Sequence, residues 1–141
     1  MKDQTPRPSV PRLRVLLGNS IAIGPGKAEL LRLIEQTGSI AAAARPMGMS
    51  YRRAWNLVNT MNKAFRQPIV KSITGGKGGG GAALTLFGRD ALRRYQTMER
   101  KALKSIDKEM DEFGEMLNSN YSDLDDEIGP SGNLSQDNPG E

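Results

Sequence analysis

The sequence predicts a mainly α fold with a small β wing, and three observations support this. Three helical patterns follow one another between residues 27 and 64. The third of them, 50–64, has an apolar and a polar face. A β-hairpin pattern then follows, with the glycine-rich tip TGGKGGGG at 74–81. Three helices followed by a hairpin are the element order of a winged helix-turn-helix, so we predict that architecture with a long C-terminal dimerisation helix.

The first elements are read from apolar spacing and turn residues. The run LRVLLG at 13–18 predicts a strand, and 19–26, which ends in Gly-Pro-Gly, predicts a turn. Helical spacing of Leu30, Leu33 and Ile34 predicts a helix over 27–37. Ser39 is the predicted N-cap of the next helix, whose alanines let another helix approach closely. That helix is expected to end around residues 45–47, since proline at 46 disfavours helical geometry.

The third helix is predicted over 50–64, with Ser50 as its N-cap. Its apolar positions are Ala54, Val58, Met61 and Phe65, and its polar positions are Arg52, Asn56, Asn59 and Lys63. The polar set is displaced by two residues, which is ~200° around a helix. One face therefore packs on a core and the other faces outward. Trp55 lies beside the apolar face, and we predict that it packs.

The C-terminal half predicts a hairpin and one long helix. Strands are expected at 69–73 and 82–86, around the loop at 74–81. Apolar residues then recur at about 3.7-residue intervals from position 91 to position 117, close to the period of a straight helix. A helix over 88–117 outgrows so small a domain, so we predict that it packs on a second copy of the chain. The predicted homodimer contacts are Tyr95, Met98, Ala102, Ile106, Met110 and Phe113.

These elements predict four regions along the chain. Residues 1–11 are expected to form a disordered arm, 12–87 the winged helix-turn-helix domain, 88–117 the dimerisation helix and 118–141 an acidic disordered tail.

Composition excludes several classes of function. The 141 residues contain no cysteine and no histidine, which removes disulfides, Cys/His metal sites and the usual catalytic residues. We therefore predict no enzyme activity, no metal and no cofactor. No apolar run approaches the ~20 residues of a membrane span, and the N-terminus does not resemble a signal peptide. A cytoplasmic protein without a membrane partner is the expectation.

Charge is divided unevenly along the chain. Residues 1–105 hold 19 of the 20 Lys and Arg and 5 of the 16 acids, a net +14, whereas residues 106–141 carry a net −10. A body this basic favours a polyanionic partner, and we predict double-stranded DNA. The alternative is a solvated surface with an acidic tail. That tail could also compete for the basic face of a protein-interaction or non-specific DNA-binding module.

The helix-turn-helix at 39–64 places the start of its second helix at the base edges of the major groove. Arg52 suits a guanine and Asn56 an adenine, while Ser50, Tyr51 and Arg53 suit phosphates. Ordinary surface arginines and a core Tyr51 are the alternatives. In the loop, Lys77 is followed by Gly78, which does not fit a nucleotide-binding P-loop. A phosphate-contacting wing and a merely flexible hairpin stay open. The predicted DNA-binding residues are Ser39, Ser50, Tyr51, Arg52, Arg53, Asn56, Asn59, Lys63, Thr74 and Lys77.

Two segments carry a family resemblance. GSIAAAARPMGMSYRRAW (38–55) and TGGKGGGGAALTLFG (74–88) resemble the DNA-binding domain of ModE-type molybdate-responsive transcription regulators, over roughly residues 13–105. The resemblance implies a winged helix-turn-helix that dimerises through its terminal helices and binds a palindromic operator. It also places Ser50, Tyr51, Arg52 and Arg53 in the recognition helix and 74–81 in the wing.

The resemblance also bears on sensing. Full-length members of the family carry molybdate-binding β domains after the DNA-binding domain. Here 36 residues follow position 105, so we expect this chain to lack those domains. A separate sensor protein or a small oxyanion effector is then the expected partner. A helix N-terminus such as Ser39 or Ser50 could hold an oxyanion, although ordinary capping is the favoured interpretation of both serines.

Overall fold

The computed structural model of the chain describes residues 11–74 and 80–117. Lys77, the rest of 75–79, the arm before Pro11 and the acidic tail at 118–141 lie outside the described residues, so the predictions made for them are not addressed by the structure. Contacts group the described residues into two units, 11–105 and 106–117. Each unit is described by itself.

The first unit contains three helices between two strand pairs, followed by a longer helix. Its elements are β1 (Val15–Leu17), β2 (Ser20–Ile23), α1 (Pro25–Thr37), α2 (Ile40–Ala44), α3 (Tyr51–Ala64), β3 (Val70–Ile73), β4 (Gly81–Leu84) and α4 (Leu86–Ser105). Both sheets are two-stranded and antiparallel. The predicted mainly α fold with a small β component is thereby confirmed.

The first strand pair differs from the prediction. Residues 20–23 were expected within a turn, but they form β2, and Leu17 pairs with Ser20 across a tight connection. Gly18 in that connection has φ +60°, the left-handed geometry that two-residue hairpin turns require. β2 was missed because it has only four residues, too few to show alternating side chains, and because turn residues, Asn19 and Gly-Pro-Gly, flank it.

The core lies between α1, α3 and the second strand pair. Its fully buried large side chains are Leu30, Leu31, Ile34, Met61 and Ile69. Ala43 and Ala44 of α2 and Ala54 of α3 are also buried. Because these three side chains are small, α2 and α3 lie close to each other, as the alanine run predicted.

Two glycines let the hairpin pack closely on the helices. A Cβ at Gly81 would lie 2.8 Å from the carbonyl oxygen of Gly38, and beside it the backbone N–H of Ala82 donates to that same oxygen over 2.9 Å. A Cβ at Gly88 would overlap the carbonyl oxygen of Ile69. The hairpin is thus attached at one end to the α1–α2 turn and at the other to α4.

The predicted single helix over 88–117 is interrupted in the structure. α4 ends at Ser105, Ile106 leaves helical geometry (φ −115°, ψ 13°), and a separate helix α5 spans Asp107–Gly114 in the second unit. The Ser105 hydroxyl donates to the carbonyl of Ala102 over 2.7 Å, and such side-chain bonds compete with the backbone ladder of a helix. Asp107 and Glu109 lie in the first turn of α5, where acids favour the start of a new helix.

Candidate nucleic-acid interface

Serine side chains fix where α2 and α3 begin. The Ser50 Oγ accepts a hydrogen bond from the backbone N–H of Arg53 at 3.1 Å, and the Ser39 Oγ accepts one from that of Ala42 at 3.1 Å. Both predicted N-caps are confirmed, and both satisfy donors that a helix start leaves without an intrahelical partner. Any contact of these serines with DNA or an oxyanion stays a prediction.

The two predicted faces of α3 are present in the structure. Ala54, Val58 and Met61 are buried, while the side chains at 52, 56 and 63 are exposed and Asn59 is half-buried. The outward face of α3 therefore presents two cations and two amides on a helix whose opposite face is held in the core. These are the donors and acceptors that suit base edges and phosphates.

Asn62 attaches the end of α3 to the hairpin. Its side-chain oxygen accepts hydrogen bonds from the backbone N–H groups of Ile69 (2.8 Å) and Val70 (3.0 Å). Its amide nitrogen donates to the carbonyl oxygen of Val70 over 3.1 Å. Three bonds from one side chain set the position of β3 relative to α3. The sequence analysis missed this residue, because an asparagine in a polar helix carries no signal of its partner.

Thr85 attaches the other end of the hairpin to α4. Its backbone N–H donates to the carbonyl of Ile69 over 2.9 Å, and its hydroxyl donates to the carbonyl of Pro68 over 2.6 Å. The hydroxyl also accepts from the backbone N–H of Gly88 at 2.9 Å, which caps the start of α4. Asn62 and Thr85 together fix the hairpin relative to α3 and to the start of α4.

A groove of ≈ 340 Å³ separates α3 from the hairpin. Tyr51 and Trp55 on α3 form part of its lining, with Ile73 and Thr74 opposite at the end of β3. Trp55 is 47% exposed and Tyr51 is 56% exposed. The prediction that Trp55 packs was wrong, because its side chain lines the groove and stays exposed there. The exposure of Tyr51 excludes the alternative of a core position for it.

Among the described residues, the lining of this groove includes the cation Lys71 and no carboxylate. Residues 36–89 contain eight Lys and Arg and no Asp or Glu. Within residues 11–74 and 80–117, the ion pairs involve Arg32, Arg89, Arg93 and Arg94, and none includes a cation of α3. Within the described part of the chain, Arg52, Arg53 and Lys63 therefore make no ion pair with a carboxylate.

The residues predicted to form the dimer contacts lie in different environments. Tyr95 is 2% exposed, with its hydroxyl 2.7 Å from the carbonyl oxygen of Leu13 and 2.9 Å from a carboxylate oxygen of Glu99. Burial, and then its hydrogen bond with Glu99, raise the pKa of Tyr95 to about 12. Met98 on α4 is exposed, as are Ile106 and Phe113 in the second unit, while Ala102 and Met110 are half-buried. Contact of these residues with a second copy stays a prediction. Tyr95 could contribute little to such a contact, because almost all of its surface is buried.

Two further features are absent from the described residues, a membrane-spanning helix and a metal-binding cluster. Within them, no helix is long and apolar enough to cross a membrane. Across the same ranges, no three acidic residues cluster in a way that could hold a metal ion.

Comparison with known proteins points to one group of regulators. No protein-family model matches the chain. It is 36% identical over 107 residues to the Escherichia coli DNA-binding transcriptional dual regulator ModE, covering 76% of this chain and 41% of that protein. It is 40% identical over 88 residues to the Haemophilus influenzae transcriptional regulator ModE, covering 62% of this chain and 34% of that protein. The chain is homologous to ModE-type transcriptional regulators over most of its length.

A ModE-type relationship extends to proteins with other names. The Rhodobacter capsulatus molybdenum-pterin-binding protein MopB is 40% identical over 99 residues, covering 68% of this chain and 37% of that protein. The chain spans about two fifths of the length of the curated relatives that it matches. The resemblance predicted from the SYRRAW and GGKGGGG segments is confirmed by these ModE-type relatives.

Proposed function

We propose that the protein is a ModE-type transcription regulator that binds double-stranded DNA in a sequence-specific way. In this proposal α3 enters the major groove, Arg52 donates to a guanine and Asn56 pairs with an adenine. Arg53, Lys63 and the hairpin loop contact the phosphates on either side. The E. coli relative is named as a DNA-binding transcriptional regulator, and the lack of acidic residues in the segment 36–89, which contains α3, supports the same role here. The contact of Lys77 with phosphate rests on the sequence alone.

The single observation that carries the proposal is the outward face of α3. Its exposed Arg52, Asn56 and Lys63 lie on a helix that is packed on its opposite face by three buried side chains. Asn62 also holds the end of that helix to β3 through three hydrogen bonds. A helix that reads base edges must present its donors from a rigid support, and α3 meets this requirement.

The proposed assembly is a homodimer on a palindromic operator. Two copies related by a two-fold axis would place their α3 helices one DNA turn, about 34–36 Å, apart. The exposed apolar side chains of α4 and α5 are the surfaces that we propose to meet. Regulation by molybdate, through an oxyanion effector or a separate sensor protein, is part of the same proposal. Adding molybdate to a binding titration tests it directly.

Removing the Arg52 guanidinium tests the base-reading role. Arg52→Ala should weaken binding to a selected duplex by about 1–3 kcal/mol and relax specificity at one base pair. Anisotropy titrations of single-base variants of that duplex measure both effects. Arg100→Ala, which removes an exposed arginine from α4, is the matched control and should retain full discrimination. An equal loss on the selected duplex and on random DNA would show that Arg52 contacts phosphate only.

The second candidate function is a non-specific DNA-binding or protein-interaction module. The net charge of −10 on residues 106–141 against +14 on the rest favours this candidate, because an acidic segment can compete with DNA for a basic surface. A chain shortened after residue 117 would then bind random duplexes more tightly at low salt.

A further inference from the structure

The groove beside α3 leaves an aromatic pair exposed for which the proposed function gives no contact with a base. Tyr51 and Trp55 are four residues apart, so their side chains are neighbours on one face of the helix. Trp55 lies ~100° and Tyr51 ~140° around the helix from Asn56, on the side of the hairpin. Both line the groove, and each keeps about half of its surface in contact with water. Large apolar faces grouped at a binding surface indicate a partner with apolar groups of its own.

We infer that Tyr51 and Trp55 contact the C5-methyl groups of thymines in the major groove, so that this pair adds an A·T preference to the DNA binding. The inference rests on the proposed function and deepens it. The thymine methyl is the apolar feature that distinguishes base edges in the major groove. The occupant is duplex DNA because Arg52 and Arg53 border the pair on α3, Lys71 lines the opposite side, and residues 36–89 hold no acid.

The position of the pair suits this role. Arg52 and Asn56 follow Tyr51 and Trp55 by one residue each, so a duplex that reaches the two polar side chains also passes the two aromatic rings. The half-buried Asn59 lines the same groove and joins the aromatic row to the polar row. An apolar contact at this edge would exclude water from the hydrogen bonds of the neighbouring arginine, which strengthens them.

Replacing thymine by deoxyuridine tests the inference, because it removes the methyl group and retains every hydrogen-bonding group of the base. The probes are duplexes that the protein selects from a random-sequence pool, with each thymine replaced in turn. Wild-type affinity should fall about fourfold at a contacted thymine, the value expected for one buried methyl group. In Trp55→Ala, replacement of the thymine that Trp55 contacts should have no effect. Thr60→Ala, an exposed residue of α3 outside the groove, should retain the wild-type response.

Trp55 is the single tryptophan of the chain, so its fluorescence provides a second readout in the unaltered protein. Its emission should change on binding a selected duplex, and should change less when the contacted thymine is a deoxyuridine. This measurement decides the question if Trp55→Ala does not fold. Specific binding with equal thymine sensitivity in wild type and Trp55→Ala, or with an unchanged Trp55 emission, would overturn the inference alone. Absence of any specific binding by the wild type would instead overturn the proposed function.

Discussion

At the scale of single residues, position on a surface decides what a side chain can do. Arg52 and Asn56 are exposed on α3, whereas Asn62, on the same helix, is half-buried and satisfied by β3. The residue types that suit DNA were identified from the sequence, because faces follow from helical spacing. The partner of Asn62 and the exposure of Trp55 were not identified from the sequence, because both depend on how closely the hairpin approaches α3.

Tyr95 predicts a pH dependence of stability. Its pKa is raised to about 12 from the ordinary value of 10.0, so folding favours the protonated hydroxyl. The stabilisation is fully present below pH 10 and is lost as pH rises through 12. Chemical denaturation of wild type and Tyr95→Phe should therefore give free energies of unfolding whose difference shrinks over that range. A difference that stays constant from pH 9 to 12 would show that Tyr95 is not held in this way.

At the scale of elements, the hairpin is placed by a few polar contacts and by glycines. The sequence predicted the strands of this hairpin from their β-branched residues and loop. It also predicted helix 50–64 closely, since capping and spacing agree there. It missed β2 and the break at Ile106, where short elements and a side-chain bond from Ser105 override the periodic pattern.

Asn62→Ala should loosen the hairpin from α3. Losing its bonds leaves the N–H groups of Ile69 and Val70 without their partner, and each such group costs about 1–3 kcal/mol when buried. Thermal denaturation should show a clear loss of stability, and DNA affinity should fall with it. Asn56→Ala, the same substitution on the exposed face, should change stability by less than about 0.5 kcal/mol while it weakens base discrimination. Equal stabilities for the two variants would contradict the attachment role.

Gly88→Ala should destabilise the unit at the start of α4. The added Cβ would overlap the carbonyl oxygen of Ile69, and overpacking of this kind costs about 1–3 kcal/mol or more. Gly26→Ala is the matched control, because a Cβ at Gly26 in the first turn of α1 would meet nothing within 4 Å. That control should be neutral or stabilising by up to about 1 kcal/mol. A tolerated Gly88→Ala would mean that hairpin and α4 are not in close contact.

At the scale of the whole molecule, charge and exposed apolar residues define the proposed partners. The net charge of +14 on residues 1–105 was evident from the sequence. It agrees with the lack of ion pairs at Arg52, Arg53 and Lys63 among the described residues. The spacing of apolar residues could not decide whether the C-terminal helix packs on a second copy of the chain. It assigned Tyr95 to a partner, although the structure shows that side chain buried in its own unit.

Met98 is the exposed apolar side chain of α4 through which we test the proposed dimer. It is 46% exposed, so a charge there should leave the fold intact but oppose a subunit contact. Sedimentation of Met98→Glu should show a shift toward monomer. The variant should also bind a palindromic duplex more weakly than the wild type does. Gln96→Glu, an exposed neighbour, should stay dimeric. A monomeric wild type, or a Met98→Glu that remains dimeric, would exclude this surface.

The most direct test of the account is an anisotropy titration of the wild-type chain at two salt concentrations. It compares a duplex that the protein has selected with a shuffled duplex of the same composition. Sequence-specific recognition predicts that the selected duplex binds about 10³-fold or more tightly than the shuffled one. Both affinities should fall as salt rises, since phosphate contacts release counterions. Equal affinities for the two duplexes at both salt concentrations would contradict the central claim that α3 reads bases.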